Sequence, residues 1–266
     1  MSYVIYRDKR DGFTGFVDDR QSLVKKIRLG FLRLKPGEKR VLKSDNFRER
    51  VIVLLKGSFV LLQNGKKVER LGTRTDIFTD KAWSVYIPVT ETVELMTDSG
   101  FEAIICSARA DKKFDLAVVS PSDVTEKIVG SGGYERRVFD IIGQDFPAQN
   151  LMVGETVNPA GNWSSFPPHK HDCDRGEEEV DLEEVYYFRV NPCNGFGFQR
   201  IYKKKNLDEA VVIKDHCAVL IPEGYHPVCA SPGYDIYYLW VLAGSDRRMK
   251  PYDDPEHAWI KNEVMN

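Results

Sequence analysis

The stretch Asn162-Trp163-Ser164-Ser165-Phe166-Pro167-Pro168-His169-Lys170-His171-Asp172 carries two of only five histidines in 266 residues, one residue apart. On a β-strand, side chains at i and i+2 project from the same face, so His169 and His171 can reach a single ion. Neutral imidazole is a good ligand for zinc, iron, nickel or manganese. Past a short acidic loop, Asp181-Leu182-Glu183-Glu184-Val185-Tyr186-Tyr187-Phe188 is a strand-like run that opens on carboxylates. Further on, Ile221-Pro222-Glu223-Gly224-Tyr225-His226 delivers a third histidine just after a turn. A His-x-His pair alone is a weak signal, because chance pairs occur on wet strands. Three imidazoles and one carboxylate form a mixed nitrogen and oxygen set, which suits a catalytic divalent metal with open positions better than a closed structural site. Cys173 falls in the loop rather than on the strand and is a weaker candidate ligand.

Composition sets the frame around this cluster. Hydrophobic content of 42% and charged content of 29% are those of a soluble globular protein with an ample core. With 38 basic against 40 acidic side chains and a formal charge of −2, no global field recruits nucleic acid or an anionic membrane. No apolar run approaches the ~18–20 residues of a bilayer span, and residues 1–8 carry no apolar secretory core. A cytoplasmic location is expected. The five cysteines are odd in number and scattered, with no Cys-x-x-Cys, which argues against a disulfide framework and a zinc ribbon.

Outward from the histidines, glycine and proline punctuate short β-rich runs, while long 3.6-period stretches are scarce. The pattern predicts strands over 31–35, 51–55, 58–62, 85–88, 92–96 and 101–106, with Asn64-Gly65 as a hairpin signal. Residues 109–150 are more polar and join two halves, and 136–142 opens the second. The β pattern then runs to about 244, and a charged tail wraps the surface with a short helix near 255–259. Two units are expected, 1–125 and 126–266. Val85-Tyr86-Ile87-Pro88 resembles Val219-Leu220-Ile221-Pro222, and residues 99–104 resemble 232–237 at a near-equal offset, which points to a duplicated β-module. At that offset Glu184 falls on Val51. No histidine precedes His169, so only the second half can hold this metal.

These residues resemble the cupin superfamily, small β-barrels in which His-x-His, a glutamate and a later histidine bind a metal in the barrel mouth. The resemblance implies His169, His171, Glu184 and His226 as ligands. Glu184 is preferred to its rival Glu183 because it directly precedes apolar Val185. An inserted acidic loop lengthens the interval after His171, and the turn before His226 is one residue shorter than the usual pattern. More narrowly, Gly161 to Asp172, Glu183 to Arg189, Gly195 to Tyr202, Pro222 to Val228 and Gly233 to Trp240 resemble the bacterial 5-deoxy-glucuronate isomerases of inositol catabolism. Those are relatives of the 4-deoxy-5-threo-hexosulose-uronate isomerases of pectin breakdown. The likeness is strong over 150–245 and architectural before that. It implies an all-β bicupin, two tandem antiparallel jelly-roll barrels related by duplication, with a divalent metal (zinc, manganese or iron). It also implies a homo-oligomer that interconverts 5-deoxy-D-glucuronate and 5-dehydro-2-deoxy-D-gluconate.

Such an aldose–ketose isomerase must move a proton between adjacent carbons while a metal stabilises the enediolate. Candidates for the base are Glu155, on the strand before the His-x-His, and a tyrosine of the Tyr186/Tyr187 or Tyr237/Tyr238 pairs. Tyr186 shares a face with Glu184 by alternation, and Tyr238 is placed with the substrate-binding residues. Burial in the barrel core is the plain alternative for each tyrosine, and a solvated strand position for Glu155. Arg200 and Lys170 are candidate anchors for the substrate carboxylate, Arg200 the better because its fork binds a carboxylate bidentately. Alternation turns Lys170 away from the histidine face, toward the surface. His216 and His257 read as surface or edge residues. Two other readings are a metal-dependent dioxygenase and a non-enzymatic sugar-binding cupin, and fold alone does not choose among them.

Overall fold

A computed structural model describes residues 2–6, 10–20, 22–204 and 206–263. Strands make up nearly all of the regular structure, with a single short α-helix at Ile260–Glu263 among the described residues. In the first half, Ser84–Ile87, Arg48–Gln63, Phe101–Arg109, Ile27–Leu34 and Gly12–Val17 lie side by side. In the second, Cys217–Ile221, Glu183–Asn191, Asp235–Ala243, Leu151–Asn158 and Arg136–Ile142 repeat that order. The duplication is visible strand for strand. In the second half a smaller sheet contains Trp163–Ser164, Val228–Ala230, Phe196–Lys203 and Leu207–Lys214, while in the first the far end of Arg48–Gln63 carries Lys66–Arg74 and Val93–Met96 within the same sheet.

Each large sheet is buried on both faces, so its strands read as near-continuous apolar runs. One face fills its own barrel: Leu32, Ile52, Leu54 and Phe59 in the first, Phe188, Ile201, Val228 and Tyr238 in the second. The other faces meet between the halves, where Phe31, Val53 and Ile104 pack with Val153, Tyr187 and Leu239. Each such side chain contributes roughly 1.5–3 kcal/mol on burial. Carboxylates stitch the same interface. Glu49 accepts from the amides of Gln149, Asn150 and Leu151 at 2.6–2.8 Å. Its repeat counterpart Glu183 accepts from Lys25, Lys26 and Ile27 at 2.6–3.2 Å. Each carboxylate thus fixes the backbone leading into a strand of the other half.

Several expectations are revised. The strands expected at 51–55 and 58–62 are one bent strand, Arg48–Gln63. It turns at Gly57, where φ is 87° and a Cβ would lie 2.2 Å from Gly100 O. The hairpin at Asn64-Gly65 forms, both residues at positive φ and Gln63 paired with Lys66. Val4–Tyr6 does not stay with the first half but extends the second half's sheet beside Cys217–Ile221. In the tail, Tyr252–Asp253 pairs with His169–Lys170, and the helix falls at 260–263 rather than 255–259. His216 is buried, 2.7 Å from the Tyr187 hydroxyl, rather than at the surface. All five cysteines are free. No helix among the described residues is long and apolar enough to cross a membrane.

Candidate metal centre

The histidines are placed by short, heavily bonded segments. His169–Lys170 pairs with Tyr252–Asp253, and the His171 carbonyl accepts from Leu182 N at 2.8 Å, which brings the acidic loop back beside the strand. His226 follows a turn that needs glycine at 224, where φ is 91° and a Cβ would lie 2.8 Å from Tyr202 O. Glu184 lies on the same strand as Tyr186 and, by alternation, on the same face.

His169, His171 and His226 bring ligand atoms within 4.8 Å of one another. Glu184 Oε2 lies 3.2 Å from Nε2 of both His171 and His226. The other ring nitrogens face carbonyls: His171 Nδ1 to Leu182 O at 2.6 Å, His226 Nδ1 to Gly224 O at 2.9 Å. A carbonyl only accepts, so each Nδ1 carries the proton and each Nε2 turns a lone pair toward Glu184. Lone pairs facing a buried carboxylate repel unless a proton or a cation lies between them. His226 Nε2 is buried with no hydrogen-bond partner. Imidazoles oriented by carbonyls, with ligand atoms converging beside a carboxylate, form a group that could hold a metal ion.

The electrostatics agree. Burial, and then the neighbouring imidazoles, hold His169 well below the ordinary histidine range, in the neutral form a metal needs. Burial disfavours charge on His171 too, but the hydrogen bond and charge of Glu184 outweigh it and raise its proton affinity. Burial alone would raise Glu184, yet the imidazoles of His171 and His226 beside it bring it down to about 2. It is an anion throughout the working pH range.

Around this cluster the structure gathers some of the expected residues and disperses others. Tyr186 stacks on Tyr238 at 4.5 Å and lies 5.9 Å from the His226 ring. Their hydroxyls meet Ser165 Oγ and Ser164 Oγ, each at 3.0 Å. Glu183 faces the amides of 25–27, which leaves Glu184 beside the histidines. Glu155 is on the opposite face of its sheet, paired with Arg74 at 2.7 Å and accepting from Tyr237 at 2.6 Å. Arg200 points outward, bonded to Asp208 at 2.7 Å and stacked 4.0 Å over Tyr202. Lys170 turns away from the histidines as alternation requires, but it is buried rather than exposed. Asp172 and Glu179 enclose its ammonium group.

The sequence reading missed Gln199, which points inward between the outward Phe198 and Arg200. It donates from Nε2 to His226 O at 3.1 Å and leaves a buried Oε1 without a partner. The alternation of that strand holds the signal, since Gln199 is the polar residue at an inward position. In the first barrel, Arg50 pairs with Ile87 as Glu184 pairs with Ile221, each isoleucine preceding a proline. The counterpart of Glu184 is therefore Arg50, not Val51. A guanidinium stands there in place of a carboxylate, and no second group of three metal-ligating side chains occurs among the described residues.

A family profile described as the KduI/IolB family matches residues 5–260. The chain belongs to the KduI/IolB family. Among KduI/IolB relatives, the 5-deoxy-glucuronate isomerase of Geobacillus kaustophilus (strain HTA426) is 41% identical over 220 residues, 82% of this chain and 80% of the relative. The 5-deoxy-glucuronate isomerase of Bacillus subtilis (strain 168) is 37% identical over 216 residues, 80% of each chain. The crystal structure of an IolB-like protein from Salmonella typhimurium LT2 superposes with a TM-score of 0.93 at 32% identity, covering 98% of this chain and all of that one. Oxalate decarboxylase from Lactobacillus farciminis shares the fold alone, with a TM-score of 0.68 at 11% identity over 95% of this chain and 88% of its own.

Proposed function

We propose that this chain is a metal-dependent aldose–ketose isomerase. It interconverts 5-deoxy-D-glucuronate and 5-dehydro-2-deoxy-D-gluconate, as a cytoplasmic enzyme of myo-inositol breakdown. The observation that carries this reading is the convergence of three imidazoles and Glu184 on one point beside the Tyr186–Tyr238 pair, in a chain whose relatives are named for that activity. His169, His171, His226 and Glu184 would hold the ion, which is zinc, manganese or iron. Once bound, such an ion supplies Lewis acidity to the carbonyl and adjacent hydroxyl oxygens, worth several kcal/mol to the enediolate.

The chain's own residues do the rest. Burial, then the Glu184 charge and Tyr238, push the Tyr186 phenol well above its ordinary range, so it stays protonated. It donates to the oxygen on which charge develops, with Ser165 behind it as the next hydroxyl. Tyr238 stacks against it and fixes its ring. Gln199 offers an unspent amide oxygen to a substrate hydroxyl. His169 is the partly exposed member of the triad, so substrate enters from its side. The arginine-held Glu155 is left out of the proton transfer. A homo-oligomer is supported by Phe196, Phe198 and Val212, exposed together on the outer face of the smaller sheet.

The test is incubation of purified protein with 5-deoxy-D-glucuronate in deuterated buffer, followed by NMR before and after chelation. The ketose is expected, with deuterium at the carbon beside the carbonyl, and turnover is expected to cease on chelation. His171→Ala is expected to lose metal and activity together while the barrel stays folded. Full activity in metal-free protein overturns the reading.

A further inference from the structure

The substrate of the proposed reaction carries a carboxylate, and neither Arg200 nor Lys170 reaches the site. A different arginine does. Arg136 opens the strand Arg136–Ile142, in which Val138 pairs with Thr156, and Thr156 in turn pairs with Tyr238. Two residues before Val138, Arg136 projects from that same face, into the second barrel where Tyr186 and Tyr238 lie. It is only 9% exposed. Nη1 donates to three carbonyls: Tyr134 O at 3.1 Å, Phe166 O at 3.2 Å and Val129 O at 3.4 Å. Phe166 belongs to the segment that supplies His169 three residues later, so the guanidinium is tied to the wall of the histidine site.

The opposite edge of the fork is unused. Among the described residues, Nε and Nη2 of Arg136 have no acceptor and no carboxylate pairs with it. Other buried arginines differ. Arg74 is matched by Glu155, and Arg48 by Asp19. A buried guanidinium without a counter-charge is costly unless something brings one. Its charge reaches the site, since Arg136 is among the groups that disfavour a proton on His169. The free Nε–Nη2 edge matches the two oxygens of a carboxylate.

We propose that Arg136 is the residue that selects a uronate, its Nε–Nη2 edge receiving the substrate carboxylate while the carbonyl end lies at the histidine cluster. This rests on the isomerase reading, and the test separates the two. Turnover of 5-deoxy-D-glucuronate is compared with that of its C6 alcohol, 5-deoxy-D-glucose, in wild type, Arg136→Gln and Arg136→Lys. Metal content and melting midpoint are measured on each.

Wild type is expected to prefer the acid. Arg136→Gln is expected to lower kcat/KM for the acid by roughly 30- to 4,000-fold, the range for removing one member of a buried charge pair. The alcohol should change less than about 3-fold, and Arg136→Lys, a point charge without the fork, should fall between. Metal content should stay at the wild-type level. Retention of the acid preference in Arg136→Gln overturns the proposal, as does equal loss on both substrates. If the variants do not fold, the wild type decides: no preference for acid over alcohol overturns it. A wild type that turns over neither compound overturns the isomerase reading itself.

Discussion

Replacing Glu155 with glutamine separates a structural carboxylate from a catalytic one. The side chain is 1% exposed and faces Arg74 at 2.7 and 2.8 Å, with Tyr237 donating at 2.6 Å. Arg74 also donates to Leu54 O and Asp80 O, so both its Nη groups are occupied. Glutamine keeps the shape and can still accept from Tyr237. What disappears is the negative charge opposite a guanidinium with no exposed surface. Leaving one member of a buried pair unmatched costs about 3–5 kcal/mol. With an unfolding entropy of about 2 cal/mol/K per residue over 266 residues, the melting midpoint falls by roughly 5–9 °C. Calorimetry of the metal-loaded variant reads that shift. The double variant Arg74→Met/Glu155→Leu, in which neither charge remains, should recover most of it. At 25 °C, folded Glu155→Gln should keep kcat within about 3-fold of wild type. An unchanged midpoint refutes the reasoning, and so does a hundredfold fall in kcat of the folded variant.

The adjacent glutamates should fail differently. Glu184→Gln should weaken metal binding, seen by metal analysis after dialysis, while Glu183→Gln should keep metal and lose about 1–3 kcal/mol in denaturant unfolding as three amides lose a charged acceptor. Metal affinity should depend on pH through His171. Its proton affinity is raised and the ion must displace that proton, so affinity falls about tenfold per pH unit below the raised value and levels off above it. Neutral His169 and anionic Glu184 add no proton in that range. Calorimetric titration in buffers of different ionisation enthalpy should show proton release on binding at the acid side and none well above it. Tyr186→Phe should lower kcat by about 10²–10³ with metal content unchanged, the loss of one donor to a developing oxyanion.

Much of the site was legible because its rules are local. Alternation across three residues placed His169 and His171 together and set Tyr186 with Glu184. The glycine turn before His226 was readable in the same way. Glu155 was not placed by the pattern, because parity names the residues that share a face but not which face looks inward, and here both faces are buried. Nothing short of the register to Asp235–Ala243 shows that Leu239, opposite Glu155, belongs to the seam between halves. Arg200 points outward, its neighbour Gln199 taking the inward place. Lys170 was turned the right way, but the loop carrying Glu179 covers it, a contact that no local pattern announces. Arg136 drew no attention because its use depends on pairing two strands away.

The strand Val4–Tyr6 and the glutamates at 49 and 183 carry a historical consequence. Once the ancestral copies had traded an edge strand and a pair of carboxylates, neither could be discarded without exposing the other. A gene split near residue 125 would leave the later piece with a bare sheet edge and the earlier one with orphaned amides at 25–27. The earlier barrel is thus held in place by the seam alone, whatever chemistry stands at Arg50, where its twin carries Glu184.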